Sequence, residues 1–217
     1  MNRKTKIASL IELIVAIVVL TLICTINNNK KEIDSFKKDY KNVYDDIIEY
    51  QNDYHTLNIF KTVIETNGAN HKYVTKGKVI RLITDDLSMY SGDTLIRFSD
   101  DKFHFFLQDD HYIYDEKNEL LYIMKGKFCI FGDKYDIYDN NDNLIAKAQF
   151  NPLNTNGLIK TSDDKIIGIY LSKFFHNDYT VEIIPNNTID DVSILTMIAS
   201  YKSDQHFDRK SSSSKKD

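Results

Sequence analysis

The chain has 217 residues, of which 42% are hydrophobic and 28% charged, so it is long enough for one medium domain with accessory segments. Its net charge of -4 and pI near 5.9 exclude nucleic acid as the main partner, because phosphate binding needs a concentrated basic face. Only 2 Pro and 7 Gly argue against long irregular loops, and the abundance of Asn, Asp, Lys, Ile and Tyr is typical of an AT-rich bacterial genome.

The first predicted element is a membrane anchor. A basic N-terminus, 1–6, precedes the nearly unbroken apolar segment 7–26, which has the length needed to cross ~30 Å of hydrocarbon. No small-x-small cleavage site follows this segment, and Ile23 before Cys24 does not fit a lipoprotein signal. The pattern predicts an uncleaved, single-pass anchor in the cell membrane, with the lipid bilayer as a partner.

Part of this anchor, "SLIELIVAIVVL" at 9–20, resembles the start of a type IV prepilin because Glu12 interrupts the apolar run. A prepilin is cut after a glycine, usually before Phe, but Ile7 and Ala8 occupy those positions here. Glu12 also lies near one membrane face, where it can snorkel or stay protonated. The residues therefore favour an ordinary anchor, with a pilin-like protein as the alternative.

The charges around the anchor leave its orientation open. Three basic residues precede the apolar segment and five lysines follow it within 30–41, so counting Lys and Arg favours a cytoplasmic C-terminal portion. A short basic N-terminus often stays inside, which argues for the opposite orientation.

A helical stalk is predicted over 30–66. Apolar and aromatic residues there recur with alternating gaps of three and four, the 3.5-residue period of a coiled coil. They are Ile33, Phe36, Tyr40, Val43, Ile47, Tyr50, Tyr54 and Leu57. One interpretation is a coiled coil that joins copies of the chain into a homo-oligomer. The other is an amphipathic helix that packs on its own β domain.

A β domain is predicted over 72–202, because the period changes from helical to alternating at Tyr73. Short β-branched and aromatic runs alternate with polar turns, as in a meandering antiparallel sheet that closes into a barrel or a sandwich. The runs are "KVIRLIT", "TLIRFS", "KFHFFLQ", "HYIYD", "LLYIMKGK", "KYDIYD", "NLIAKAQF", "LIKTS", "IIGIYLS" and "YTVEIIP".

Two of these units repeat each other: "IYDEKNELLY" begins at Ile113 and "IYDNNDNLIA" at Ile137. Each predicts a strand, an Asx-type turn in which Asp115 or Asp139 bonds the backbone, and a return strand. The segment "DNNDN" is no EF-hand, because that loop needs Gly and Glu at positions that Leu144 and Phe150 occupy here.

The last predicted element is a helix over 189–201, opened by a capping box of Thr188 and Asp191. Its segment "VSILTMIASY" is apolar on nearly every side and too short to span a membrane, so we expect it to be buried inside the sheet. The polar, Ser-rich tail 203–217 is predicted to be disordered.

The β domain and its final helix resemble the tubby C-terminal-like superfamily, most closely its bacterial LURP-one-related members. The resemblance covers roughly Asp93 to Tyr201 and is carried by Phe131-Gly132-Asp133-Lys134-Tyr135, by Ile137-Tyr138-Asp139 with Leu144, and by the Val192 to Tyr201 helix. It implies a closed antiparallel barrel of about twelve strands around one hydrophobic helix. It also implies association with phosphoinositides or a link to lipid scrambling.

No catalytic constellation emerges from the motifs. The histidines lack metal-ligand spacing, and neither G-x-S-x-G nor a phosphate loop occurs. Cys129 alternates with apolar residues and is predicted to lie in a core strand, and like Cys24 it is predicted to be unpaired. The sequence thus predicts no catalytic residue, no cofactor and no metal. The six histidines are His55, His71, His104, His111, His176 and His206, and acidic pairs fall at the turn positions Asp85-Asp86, Asp109-Asp110 and Asp163-Asp164.

Together these elements predict a mainly β, α+β chain: a transmembrane helix and helical stalk, then a closed antiparallel barrel around a C-terminal hydrophobic helix. The function predicted is non-enzymatic binding of lipid, membrane surface or a protein. The alternatives are a pilin-like assembly component and a surface hydrolase, for which a buried, convergent carboxylate pair would be evidence.

Overall fold

A computed structural model describes residues 3–40, 47–56, 62–77, 86–102, 108–174 and 176–213, with only the backbone of 3–6, 8, 9 and 206–213. In chain order, twelve described strands lie between two long helices. The elements are α1 (Arg3–Tyr40), β1 (Ile48–Thr56), β2 (Thr62–Gly68), β3 (Lys72–Gly77), β4 (Leu87–Ser91), β5 (Thr94–Lys102), β6 (Asp110–Asp115), β7 (Leu120–Lys127), β8 (Asp133–Asp139), β9 (Leu144–Phe150), β10 (Asn156–Thr161), β11 (Ile166–Ser172), β12 (Tyr179–Ile183) and α2 (Asp191–Ser213).

The twelve described strands form one closed barrel in which each strand pairs antiparallel with its neighbours in sequence. β1 closes the barrel against β12, with Tyr50 opposite Val181. Closure leaves none of these strands with an unpaired edge. The predicted mainly β fold is confirmed, and of the two predicted closures the barrel is the correct one.

The two repeated hairpin turns have the same geometry. Asp115 Oδ1 accepts hydrogen bonds from the backbone N–H groups of Lys117 and Glu119, at 2.9 and 2.8 Å. Asp139 Oδ1 accepts from the backbone two and four residues on, also at 2.9 and 2.8 Å. Asn118 and Asp142 take the left-handed conformation at matching positions, as Asn and Asp tolerate. The predicted Asx turns are confirmed.

Helix α2 lies in the lumen of the barrel, and its residues 193–203 are all buried. Its apolar side chains belong to one core cluster that includes residues of every described strand except β5, whose half-buried Ile96 packs against the cluster. The Tyr201 ring stacks on Phe150 with centroids 3.6 Å apart. Because twelve strands enclose more space than their own side chains fill, a helix of ~10–12 Å diameter can occupy the centre.

A stripe of small hydroxyl residues along α2 sets its rotation in the lumen. Ser193, Thr196, Ser200 and Ser203 recur at helical spacing and are fully buried. The Ser200 hydroxyl lies 2.6 Å from that of Ser99 on β5, and each of the others contacts a strand side chain as well. These contacts satisfy polar groups that burial would otherwise penalise.

The N-terminus of α2 is capped by Asp190, not by the predicted capping box. Ser193 donates its backbone N–H to Asp190 Oδ1 at 3.0 Å and its hydroxyl to Oδ2 at 2.7 Å. Arg97 of β5 donates to the same carboxylate at 3.1 Å. The Thr188 N–H instead donates to the Asn186 side chain, so the predicted cap was misplaced by two residues.

The second half of α1 packs on the outer wall of the barrel. Ile33, 3% exposed, joins Leu158 of β10 and Ile169 of β11 in a second apolar cluster. Lys37 pairs with Glu182 of β12 at 2.5 Å. β10 and most of β11 are buried on both faces, since α2 covers them from inside and α1 from outside.

The contacts of α1 show which way it runs along the wall. Asn29 accepts a hydrogen bond of 3.2 Å from Gln149, one residue before β9 ends. Tyr40 packs against the cluster that contains Ile184, just after β12 ends. Because β9 and β12 run in opposite directions, α1 passes from one rim of the barrel to the other. We call the first the anchor-side rim and the second the far rim.

The first half of α1 projects beyond the anchor-side rim. Its large apolar side chains from Ile7 to Ile23 are exposed, apart from the half-buried Leu22. The segment Leu10–Tyr40 is long and apolar enough to cross a membrane, and it is the one such segment among the residues that the structure describes. The described loops at this rim are 128–132, 151–155 and 173–178 without residue 175.

The prediction of a continuous helical stalk is wrong beyond residue 47, because 48–56 and 62–66 lie in β1 and β2. Tyr50 and Tyr54 point into the barrel core, so they belong to no helical seam. Inward positions on β1 alternate as Tyr50, Asn52, Tyr54, and the polar Asn52 hides the period of two. Asn52 accepts a 2.6 Å hydrogen bond from Thr66. Val43 and Leu57 lie outside the described residues.

Of the two interpretations of the stalk, packing on the chain's own β domain fits Ile33, Phe36 and Tyr40. The barrel accordingly begins at residue 48, not 72. Residues 203–213, predicted to be disordered, continue α2 as a helix. The predicted strands "KVIRLIT" and "KFHFFLQ" lie mainly outside the described residues.

The two cysteines are unpaired, as predicted. Cys129 lies in the loop between β7 and β8, not in a core strand, and its thiol donates to the Phe131 carbonyl at 3.1 Å. The side chains of Phe128 and Ile130 in this loop are exposed to solvent. The alternation of apolar residues around Cys129, which predicted a buried strand, therefore belongs to an exposed loop.

We expect Tyr50→Ala to lower the free energy of unfolding by about 3–5 kcal/mol, because it removes a fully buried aromatic ring from the barrel core. Urea unfolding in detergent would measure the change. Asp53→Ala, at an exposed position of the same strand, is the matched control and should stay within about 0.5 kcal/mol of wild type. Equal stability of both variants would contradict the placement of β1 in the barrel.

Candidate functional site

The lumen becomes polar where α2 reaches the anchor-side rim. From residue 202 onward α2 carries Lys202, Ser203, Asp204 and Gln205, and strand ends contribute further charged groups. Buried charges are stable only when they are paired. This polar end of the lumen is the candidate functional site, and its contacts show what chemistry it supports.

Three ionisable side chains form the centre of the site. Asp101, one residue before the end of β5, is the cross-strand partner of His111 on β6. His111 Nδ1 lies 2.7 Å from Asp101 Oδ1, and its Nε2 lies 3.5 Å from Asp204 Oδ2. The side chains of Asp101 and His111 are fully buried, and that of Asp204 is 13% exposed.

The two carboxylates keep the imidazole charged. Burial by itself would lower the pKa of His111, but the charges of Asp101 and Asp204 and the hydrogen bond to Asp101 outweigh it and raise this pKa to about 9. At neutral pH the ring is therefore an imidazolium, hydrogen-bonded to Asp101 through Nδ1 and within ion-pair distance of Asp204 through Nε2. The result is an ion triad that ties α2 to β5 and β6.

A second polar group, centred on the Asp133 carboxylate, lies beside the triad. Gln108 and Gln205 each donate to Asp133 at 3.0 Å, and the Tyr201 hydroxyl lies 3.2 Å from the same carboxylate and 2.6 Å from Asn154 Oδ1. Burial, and then the charge of Asp133, hold the pKa of Tyr201 well above its usual value, so its hydroxyl stays protonated.

Lys202 completes the polar end of α2. Its ammonium lies 3.3 Å from the Tyr170 hydroxyl and 3.3 Å from the His176 carbonyl. It also lies 5.9 Å from the Tyr170 ring and 5.8 Å from the Tyr179 ring, within cation–π range. These contacts anchor the emerging helix to β11 and β12.

The triad is a poor metal site despite its composition. Asp101, His111 and Asp204 each offer one ligand atom within 4.8 Å of the others. However, the carboxylates approach opposite nitrogens of the ring, so among the residues whose side chains are described an ion on Nε2 would gain only Asp204 as a second protein ligand. Protein zinc sites have three or four such ligands, and the geometry fits a proton on each nitrogen better.

The triad also lacks the contacts of a serine hydrolase. The Ser99 hydroxyl lies 3.5 Å from Asp101 and 2.6 Å from Ser200. Nucleophilic catalysis needs the hydroxyl on the histidine base and the carboxylate behind that base. Among the described residues the Ser99 hydroxyl instead contacts the Asp101 carboxylate, and this carboxylate, not the hydroxyl, contacts His111. Asp101 and Asp204 are the buried carboxylate pair that would favour a hydrolase, but they pair with an imidazolium.

Sequence reasoning missed this site. Asp101 falls between the predicted runs "TLIRFS" and "KFHFFLQ", Asp204 falls in the tail predicted to be disordered, and His111 is one of six histidines without metal spacing. The alternation in "HYIYD" could have predicted that His111 is buried, because His111 lies on the inward face of β6 with the buried Ile113.

The other candidate residues are scattered. Asp163 and Asp164 lie exposed in the turn between β10 and β11, as predicted. Asp110 begins β6 and accepts a 2.8 Å hydrogen bond from the Gly126 N–H, so it is not a turn residue. His55, His71 and His176 are exposed, Asp86 and Asp109 are half-buried, and Asp85, His104 and the His206 side chain lie outside the described residues.

No family model, no curated protein and no solved structure matches this chain. The assignment of a function therefore depends on the geometry described above and on the resemblance of the sequence motifs.

The His111 pKa predicts a pH-dependent stability. Because the folded-state pKa of about 9 exceeds the ordinary value of 6.5, the triad's contribution is complete below pH 6.5 and is lost as the pH rises through 9. The shift corresponds to roughly 3 kcal/mol, at about 1.4 kcal/mol per pKa unit. Urea unfolding at a series of pH values would measure it.

The matched variants for that experiment are His111→Gln and His55→Gln. His111→Gln should remove the loss of stability between pH 6.5 and 9, whereas His55→Gln, at an exposed position, should keep the wild-type profile. A His111→Gln profile as steep as that of wild type would show that the triad is not charged in the folded protein.

Proposed function

We propose that this chain is a single-pass membrane protein that holds a tubby-like barrel close to the bilayer as a non-enzymatic binding module. The observation that carries the proposal is the continuity of α1, whose second half packs on the barrel while its first half projects with exposed apolar side chains. One continuous helix thus links an apolar segment of membrane-spanning length to the folded domain.

The exposed half of α1 supports insertion into lipid. Residues 7–26 would extend about 30 Å at 1.5 Å per residue, which matches the hydrocarbon core of a bilayer. Each large apolar side chain that leaves water contributes roughly 1.5–3 kcal/mol. The large apolar residues of this segment are about half exposed, so transfer to lipid is strongly favourable.

The fold supports the tubby-like assignment of the barrel. The resemblance implies about twelve antiparallel strands around one C-terminal helix, and the chain has that number of strands around α2. Superfamily members associate with phosphoinositides or are linked to lipid scrambling. We therefore infer that the partner of this barrel is lipid or a membrane surface, with a membrane protein as the alternative.

We place the barrel on the cytoplasmic side of the membrane, because five lysines follow the apolar segment within 30–41. Protease added to intact cells should then leave the barrel undigested and digest it only after the membrane is opened. Digestion in intact cells would place the barrel outside and contradict this orientation.

The anchor is tested by substitutions that add charge at its centre. Val15→Arg with Val18→Arg should release the full-length chain from membranes into the soluble fraction, since each central arginine costs about 2.5–3.5 kcal/mol in a spanning helix. Extraction with alkaline carbonate and detection of the barrel in each fraction would measure this.

The control carries the same two charges outside the span, as Asn27→Arg with Asn28→Arg, and should stay in the membrane.

The mass of the mature chain completes the test. An intact N-terminus supports the anchor, a chain lacking the whole apolar segment would identify a secretion signal, and a new N-terminus at Ala8 would support the pilin-like alternative.

A further inference from the structure

We propose that the barrel docks directly on the bilayer through its anchor-side rim, with Phe128, Ile130 and Phe174 inserted into the interfacial layer of the lipid. This inference rests on the proposed function, because it requires α1 to span the membrane. It goes further by assigning the lipid-binding surface to the described residues of two loops, 128–132 between β7 and β8, and 173–174 with 176–178 between β11 and β12.

The first argument is the distribution of exposed apolar residues. Outside α1, the large hydrophobic side chains that stand exposed among the described residues are Phe128 (72%), Ile130 (75%), Phe174 (49%) and Leu144 (38%). The three most exposed lie in loops of the anchor-side rim, and only Leu144, at the start of β9, lies at the far rim. Apolar side chains concentrated at one end of a molecule indicate an interaction surface.

The second argument is the position of these loops around α1. The helix packs over β10 and β11 and meets the rim beside Gln149 of β9. In the strand order, the β7–β8 loop lies on one side of this point and the β11–β12 loop on the other. The apolar residues therefore flank the place where the apolar half of α1 leaves the barrel.

The third argument is the distance between the rim and the hydrocarbon. Asn29 contacts Gln149 at the rim, and the apolar segment ends at Ile26, three residues away or about 4.5 Å along the helix. The interfacial layer of a bilayer is about 5–8 Å thick on each side. Loops at this rim consequently lie at the depth where aromatic side chains concentrate in membrane proteins.

The absence of tryptophan in the chain allows a direct test. Ile130→Trp and Leu144→Trp each introduce one indole in place of an exposed aliphatic side chain, at the anchor-side rim and the far rim respectively. The full-length variants are reconstituted into phosphatidylcholine vesicles with brominated acyl chains, which quench tryptophan on contact. We expect the Ile130→Trp protein to lose most of its tryptophan emission and the Leu144→Trp protein to keep it.

Phe174→Trp provides a second probe on the other loop and should be quenched like Ile130→Trp. Unquenched emission from both rim variants, in protein that resists carbonate extraction, would overturn the docking and leave the anchor intact. Equal quenching at Leu144 would also overturn it, because the barrel would then lie on its side. Protein that fails to enter the vesicles would instead contradict the proposed function.

Discussion

The burial of α2 inside the barrel is the constraint on which the rest of the structure depends. A helix that is apolar on nearly every side has no stable place in water, and a barrel of twelve strands has no stable interior without a filler. The helix fills the lumen and the barrel shields the helix from water. The core cluster accordingly joins α2 to all the described strands but β5, whose Ile96 packs against the cluster. The hydroxyl stripe then selects one rotation of the helix, because Ser200 meets Ser99 only in that orientation.

The depth of α2 in the lumen is set at its two ends by charge. Asp190 caps the helix at the far rim and binds Arg97 of β5. At the anchor-side rim Asp204 meets His111, which also binds Asp101. A shift of the helix along its axis would separate these groups and leave charges buried without partners, which costs several kcal/mol. The ion triad thus has a structural role that explains its burial.

The outer wall of the barrel is apolar where α1 packs on it. β10 and β11 carry apolar residues on both faces because α2 lies inside and α1 outside. Ile33 and the pair Lys37–Glu182 hold α1 against this wall. Since the apolar half of α1 continues from the packed half as one helix, the packing also sets which rim of the barrel lies next to the anchor.

Local patterns in the sequence predicted the elements whose signals are local. β5 to β12 were recognised because short alternating runs end in Asp- and Asn-rich turns, and the repeated Asx turns at Asp115 and Asp139 depend on backbone within four residues. β1 was missed because the buried Asn52 interrupts its alternation while a 3.5-residue spacing arises by coincidence. The hydrogen-bond partner of Asn52 is Thr66, which lies on β2, so no pattern within β1 indicates that Asn52 is buried.

The sequence by itself therefore determined the apolar segment at the N-terminus, most of the strands and the buried helix, since these follow from periodicity and turn chemistry. Only the tertiary structure decided that the stalk joins the barrel, that Asp101, His111 and Asp204 meet, and which rim faces the anchor. The physical reason is closure: it brings together residues such as Ser99 and Ser200, 101 positions apart, and no local pattern records such a contact.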